Sequence, residues 1–109
     1  MLDFKVVFHV SEKNRWPVAI TNVKNFLADT EGKKVAVTIV ANAEAVTAQD
    51  IFPQLEELAH KGVEIAFCNN ALRAFAVPKE TLPSFIKIVP AGITALVQKQ
   101  KEGYAYIKP

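Results

Sequence analysis

The chain has 109 residues, half of them hydrophobic and 22% charged, with 13 basic against 11 acidic side chains for a net charge of +2. That length makes one domain, residues 1–109, able to bury roughly 65% of its unfolded surface around a single core. The lysines are scattered rather than striped, which excludes a nucleic-acid interface of the basic-patch kind, and no apolar run approaches the ~18 residues that span a bilayer.

Residues 4–9 form a β-branched and aromatic run, the profile of a buried strand. Ser11-Glu12-Lys13-Asn14 breaks it, with Asn14 available to cap the next helix. Trp16, Ile20, Val23 and Leu27 then recur at helical spacing, Pro17 falls in the first turn, and Gly32 ends the segment. Residues 34–40 carry apolar side chains on successive positions, Val35-Ala36-Val37 and Ile39-Val40, so this second strand is expected to be covered on both faces, as in a parallel sheet. A loop or short turn comes next, over 41–46. Asp50 is placed to cap a helix carrying Phe52, Leu55, Leu58 and Ala59, with Pro53 in its first turn and Gly62 after it.

Residues 63–67 make a third strand that ends at Cys68, and a short helix is expected over 70–75, capped by Asn69 or Asn70. The two prolines at 78 and 83 leave room for at most one helical turn. A fourth strand over 86–89 stops at Pro90, a helix marked by Ile93, Leu96 and Val97 stops at Gly103, and Tyr104 to Ile107 form a fifth strand. Strands alternating with helices at this spacing predict a three-layer α/β/α sandwich on a mainly parallel five-stranded sheet with right-handed crossovers.

In such a sheet the carboxyl ends of the strands line one rim, and ligands bind there. His9, Asn42, Cys68 and Val89-Pro90 are expected on that rim. Cys68 is the chain's only cysteine, so it closes no internal disulfide, and no Cys/His spacing matches a zinc site. A thiol at a strand-to-helix junction can be stabilised as thiolate by the helix's free N–H groups; a cysteine that simply fills the core is the ordinary alternative. His9 beside Cys68 would favour the thiolate further, if strand order brings the two together. Asn42 can donate an amide hydrogen bond to a ligand or thiolate, or form a turn. Asn69 and Asn70 carry the same ambiguity.

Other chemistries are poorly served. The four glycines, at 32, 62, 92 and 103, assemble neither G-x-G-x-x-G nor a Walker loop, and there is no G-x-S-x-G or H-E-x-x-H. His60 is expected on the polar side of its helix. The start, Met1-Leu2-Asp3-Phe4-Lys5, has no charged leader before a long apolar stretch. The expectation is a soluble, cytoplasmic protein with a reduced thiol and neither a membrane nor a nucleic-acid partner.

Phe4-Lys5-Val6-Val7-Phe8-His9-Val10, Val40-Ala41-Asn42-Ala43-Glu44-Ala45-Val46 and Cys68-Asn69-Asn70-Ala71-Leu72 together resemble the DsrE/DsrF-like proteins. The ending, Val89-Pro90-Ala91-Gly92-Ile93 and then Gln98 through Ile107, is similar to the small single-domain branch of that family rather than to its better-studied sulfur-relay members. The resemblance implies an α/β sandwich assembled as a homo-oligomer, trimer or hexamer. It implies a cysteine, at the position of Cys68, that carries sulfur as a persulfide between sulfur donor and acceptor proteins, with no metal or organic cofactor. A non-catalytic oligomeric module that binds a small molecule, with Cys68 structural, is the competing reading. An aromatic, uncharged last strand supports oligomerisation by itself, with Phe75, Val77 and Phe85 expected to add apolar surface.

Overall fold

Five strands, β1 (Phe4–Val10), β2 (Val35–Ala41), β3 (Glu64–Cys68), β4 (Ile86–Val89) and β5 (Ala105–Ile107), form one sheet in the order β4-β3-β2-β1-β5. Every pairing is parallel. Four helices connect them: α1 (Trp16–Asp29), α2 (Phe52–His60), α3 (Asn69–Ala74) and α4 (Gly92–Lys101). Short 3-10 turns occupy Lys13–Arg15, Ala43–Thr47 and Lys79–Thr81. The structure is a computed structural model that describes all residues, Met1–Pro109.

Alternation along the strands sorts the core into two unequal halves. Val6, Phe8 and Val10 of β1, Val37, Ile39 and Ala41 of β2, and Ile65 and Phe67 of β3 bury against α1, α2 and α3. Val7, Val40 and Ala66 point the other way and pack on Leu96 of α4, with half-buried Val89 and Tyr104 against them. Topology explains the imbalance. The chain steps in one direction through β1, β2, β3 and β4, so right-handed crossovers put the first three helices on one face. From β4 it returns across the sheet to β5, and the same handedness throws α4 onto the opposite face.

Trp16 anchors the larger half. Its ring is fully buried and stacks on Phe67 at 6.1 Å between centroids, while its Nε1–H donates to the Ala45 carbonyl at 2.9 Å. The indole therefore ties the start of α1 to the 3-10 turn after β2, and a buried ring of this size holds about 3–5 kcal/mol against truncation.

The expected side-chain caps are absent. Arg15, not Asn14, is the N-cap of α1, and Ile51, not Asp50, is that of α2; neither makes a side-chain cap. Both have helical backbone (φ −92°, ψ −6° and φ −93°, ψ −1°) because a turn already feeds each helix, Arg15 N–H bonding Glu12 and Phe52 N–H bonding Gln49. A side-chain cap needs extended backbone at that position. Pro17 and Pro53 do stand in the first turns.

Val77 and Phe85 are half-buried against the core rather than adding surface, whereas Phe75 is exposed. Tyr104 lies just before β5, beneath the Lys99 ammonium at 4.6 Å. Gly103, at φ +92°, makes the left-handed turn that releases the chain from α4 into that strand. No helix is long and apolar enough to cross a membrane.

Candidate functional site

Cys68 ends β3, paired with Val89 at the end of β4. The chain leaves β3 through α3 on one face and leaves β4 through α4 on the other. Adjacent parallel strands whose connections diverge open a crevice at their carboxyl ends, which is where sheets of this kind bind ligands. Cys68 stands at that crevice. It occupies the N-cap position of α3 with extended backbone (φ −75°, ψ 120°), and its side chain is 6% exposed and free of any disulfide.

Two helices begin beside this thiol. α3 has only six residues. α4 is ten residues long and starts with Gly92 after an uncapped Ala91, with no acidic side chain in its first turn. Its first N–H groups have no intrahelical acceptor and carry the positive end of the helix dipole. Gly92 brings that end close: a Cβ placed on it would lie 3.0 Å from the Asn42 Cβ and 3.2 Å from the Cys68 Cβ. Asn42 follows Ala41, which pairs with Phe67, so Asn42 and Cys68 are neighbours at the ends of adjacent strands.

Asn42 also reaches the other way. Its Oδ1 lies 2.9 Å from His9 Nε2, and His9 Nδ1 lies 2.5 Å from the Tyr106 hydroxyl. A carbonyl oxygen only accepts, so Nε2 carries the proton and Tyr106 donates to Nδ1; the tautomer is assigned from this network. His9 is 8% exposed. Burial is the main reason its imidazole sits below its ordinary value of 6.5, with the Lys108 charge acting in the same sense and the Asn42 bond opposing both. The ring is neutral near neutral pH. Next to Asn42, Ala43 holds φ +49°, a left-handed conformation that costs a non-glycine residue about 1 kcal/mol.

The expected rim is thus assembled in part. His9, Asn42 and Cys68 all stand at carboxyl strand ends, but β2 separates β1 from β3 and no hydrogen bond joins His9 to Cys68. Asn69 and Asn70 are the first residues of α3 rather than its cap, and neither bonds the helix end. Asn70 is exposed, while Asn69 Oδ1 is buried without a partner. Two contributors were missed in the sequence. Tyr106 reads there only as an aromatic edge residue, and Gly92 only as an isolated glycine. A glycine in a helix's first turn, just after Pro90, is the one signal that a close approach was required.

On the α4 face, Glu64 accepts from Thr38 Oγ1 at 2.9 Å and pairs with Lys99 at 2.9 Å and Lys87 at 3.5 Å. Burial alone would raise its carboxyl, but the Lys99 and Thr38 bonds and the two lysine charges outweigh it and hold the group below its usual range. This network fastens α4 to the sheet. No three His, Cys, Asp or Glu side chains converge as a metal centre requires.

Residues 20–109 match the DsrE/DsrF-like family. MTH1491 from Methanobacterium thermoautotrophicum, a protein of unknown function, is 34% identical with a TM-score of 0.90, over 98% of this chain and 100% of its own. The ychN protein from E. coli has a TM-score of 0.76 over 97% of this chain and 99% of its own, at 14% identity, a likeness of fold alone. No curated protein matches the chain. Matched along most of its length and over a third identical to a full-length structural neighbour, the chain belongs to the DsrE/DsrF-like family, which is associated in general with sulfur relay.

Proposed function

We propose that this chain is an intracellular sulfur-relay protein that carries sulfur as a persulfide on Cys68. The observation that supports this most is the address of the thiol: the crevice between β3 and β4, beside the uncapped start of α4 and with Gly92 in place of a side chain. In the first step the Cys68 thiolate attacks the outer sulfur of a donor persulfide R–S–SH. The donor's S–S bond breaks, Cys68–S–SH forms, and R–S⁻ leaves. In the second step an acceptor thiolate R′–S⁻ attacks the outer sulfur on Cys68, giving R′–S–SH and regenerating the Cys68 thiolate. Neither step needs an oxidant, a metal or an organic cofactor. Free N–H groups of α4 would stabilise the sulfur anion in both. The partners on this reading are sulfur donor and acceptor proteins.

Incubation with a sulfane-sulfur donor followed by intact mass measurement tests the proposal. The expected result is one added sulfur on the wild type and none on Cys68→Ser. No addition, or equal addition to both, would sink it.

The low exposure of Cys68 favours a second reading, a non-catalytic oligomeric module with a structural thiol and a small molecule held between subunits. Native-state alkylation separates the two. Labelling of Cys68 that is no faster than global unfolding supports the structural role.

A further inference from the structure

Asn42 sits between two side chains of unlike character, and one of them dictates which way its amide faces. Its Oδ1 is committed to His9 Nε2 on the β1 side. The amide's oxygen and nitrogen diverge from Cγ, so an oxygen held by His9 points Nδ2 away from the β1 side and leaves it free to serve the neighbouring strand end. Nδ2 makes no hydrogen bond within the chain and is not a buried orphan. Cys68 ends β3 on that side, and its Cβ shares with the Asn42 Cβ the close approach to Gly92.

The network also explains why the amide cannot turn over. His9 Nδ1 accepts the Tyr106 hydroxyl proton, which leaves the ring's own proton on Nε2 facing Asn42. Turning the amide would set two donors against each other and leave Oδ1 on the sulfur side. Tyr106 and His9 therefore fix the sign of the dipole that Asn42 presents to the crevice.

We infer that Asn42 is the side-chain hydrogen-bond donor to the anionic sulfur of Cys68, in the thiolate and in the departing sulfur of the persulfide, and that His9 and Tyr106 position it. This rests on Cys68 being the sulfur carrier, and it adds to that reading a side chain beside the thiol whose free N–H turns onto the sulfur as charge develops, no hydrogen bond joining the two in the resting chain. A neutral donor suits this role. It stabilises an anion by a bond that strengthens as charge develops, without forming an ion pair that would hold the sulfur back from transfer.

The test is a pH titration of thiolate ultraviolet absorbance, read against Cys68→Ser as the blank, which needs no reagent to reach the buried sulfur. Asn42→Ala is expected to move the midpoint up by about one pH unit. Tyr106→Phe, which frees the His9 tautomer, is expected to give a smaller upward shift. His9→Gln, whose amide nitrogen can take the place of Nε2, should leave the midpoint within a few tenths of wild type, while His9→Phe should raise it. A purely structural cluster would lower the melting temperature in these variants without ordering the midpoints in this way. An unchanged or lowered midpoint in both Asn42→Ala and Tyr106→Phe overturns the inference. Sulfur loading, followed by mass on the same proteins, keeps the two claims apart: a wild type that loads sulfur with unmoved midpoints leaves the relay standing and removes Asn42 from it. A wild type that never loads, with midpoints shifted as expected, removes the relay and keeps the donor to the thiolate.

Discussion

Gly92 is the residue on which the site's geometry turns. Any side chain there must enter space already within 3.0–3.2 Å of the Cβ atoms of Asn42 and Cys68, and those atoms are rooted in strand ends that cannot swing away. Gly92→Ala should therefore push the start of α4 off the sheet and cost about 1–3 kcal/mol, seen as a lower midpoint in urea denaturation. His9 is the second such residue. Its imidazole sits below 6.5 when folded, so between the two values the unfolded chain binds the extra proton. Stability is then complete above pH 6.5 and falls as pH drops from there through the lower folded value. His9→Gln should flatten that part of the profile while the acid limb from carboxylates such as Glu64 remains, and denaturation midpoints measured across this range check it.

At the scale of elements, patterning in the sequence located nearly everything that is apolar. The run over 34–40 is apolar on both faces because β2 is interior, between β1 and β3, and the fourth strand over 86–89 coincides with β4. Helix entries were the failure. Asn14 and Asp50 are good capping residues by type, but the chain enters α1 and α2 already turning, and residue type does not encode that backbone history. The site divides in the same way. That His9, Asn42 and Cys68 lie on one rim follows from parallel strands alone. Which of them touch depends on strand order, and no local pattern says that the last strand returns to lie beside the first. That return puts Tyr106, two residues before the lysine that bonds Ser11, against His9. It also leaves α4 alone on its face, held by Lys99 on Glu64 and over the Tyr104 ring. The ion pair is partly exposed, Lys99 by 22% and Glu64 by 37%, so Glu64→Gln should cost about 1 kcal/mol or less, and denaturation at low and high salt should show part of that small loss to be screened.

The whole molecule carries two unlike apolar surfaces on opposite faces of the sheet. One is a groove of about 370 Å³ at the free edge of β5, where Phe4, Phe8, Phe26, Ala105 and Ile107 meet α1. The other is a ridge on α4, with Ile93 60% and Val97 51% exposed one turn apart. Contiguous apolar surface of this kind is normally covered, and an open parallel edge invites pairing. A two-fold contact places the same patch on both sides, so it covers the groove or the ridge but not both. A head-to-tail contact sets the ridge of one copy toward the groove of the next, and it must close into a ring or run on as a fibre. A closed ring agrees with the homo-oligomer, trimer or hexamer, that the family resemblance implies. Light scattering at micromolar concentration should give a mass that is a multiple of three chains. Ile93→Asp and Ile107→Lys should each return the monomer, because each charge would be buried at the same junction from opposite sides. A monomeric wild type would remove the assembly altogether, and a dimer that survives Ile93→Asp would mean that the ridge is not the surface the copies share.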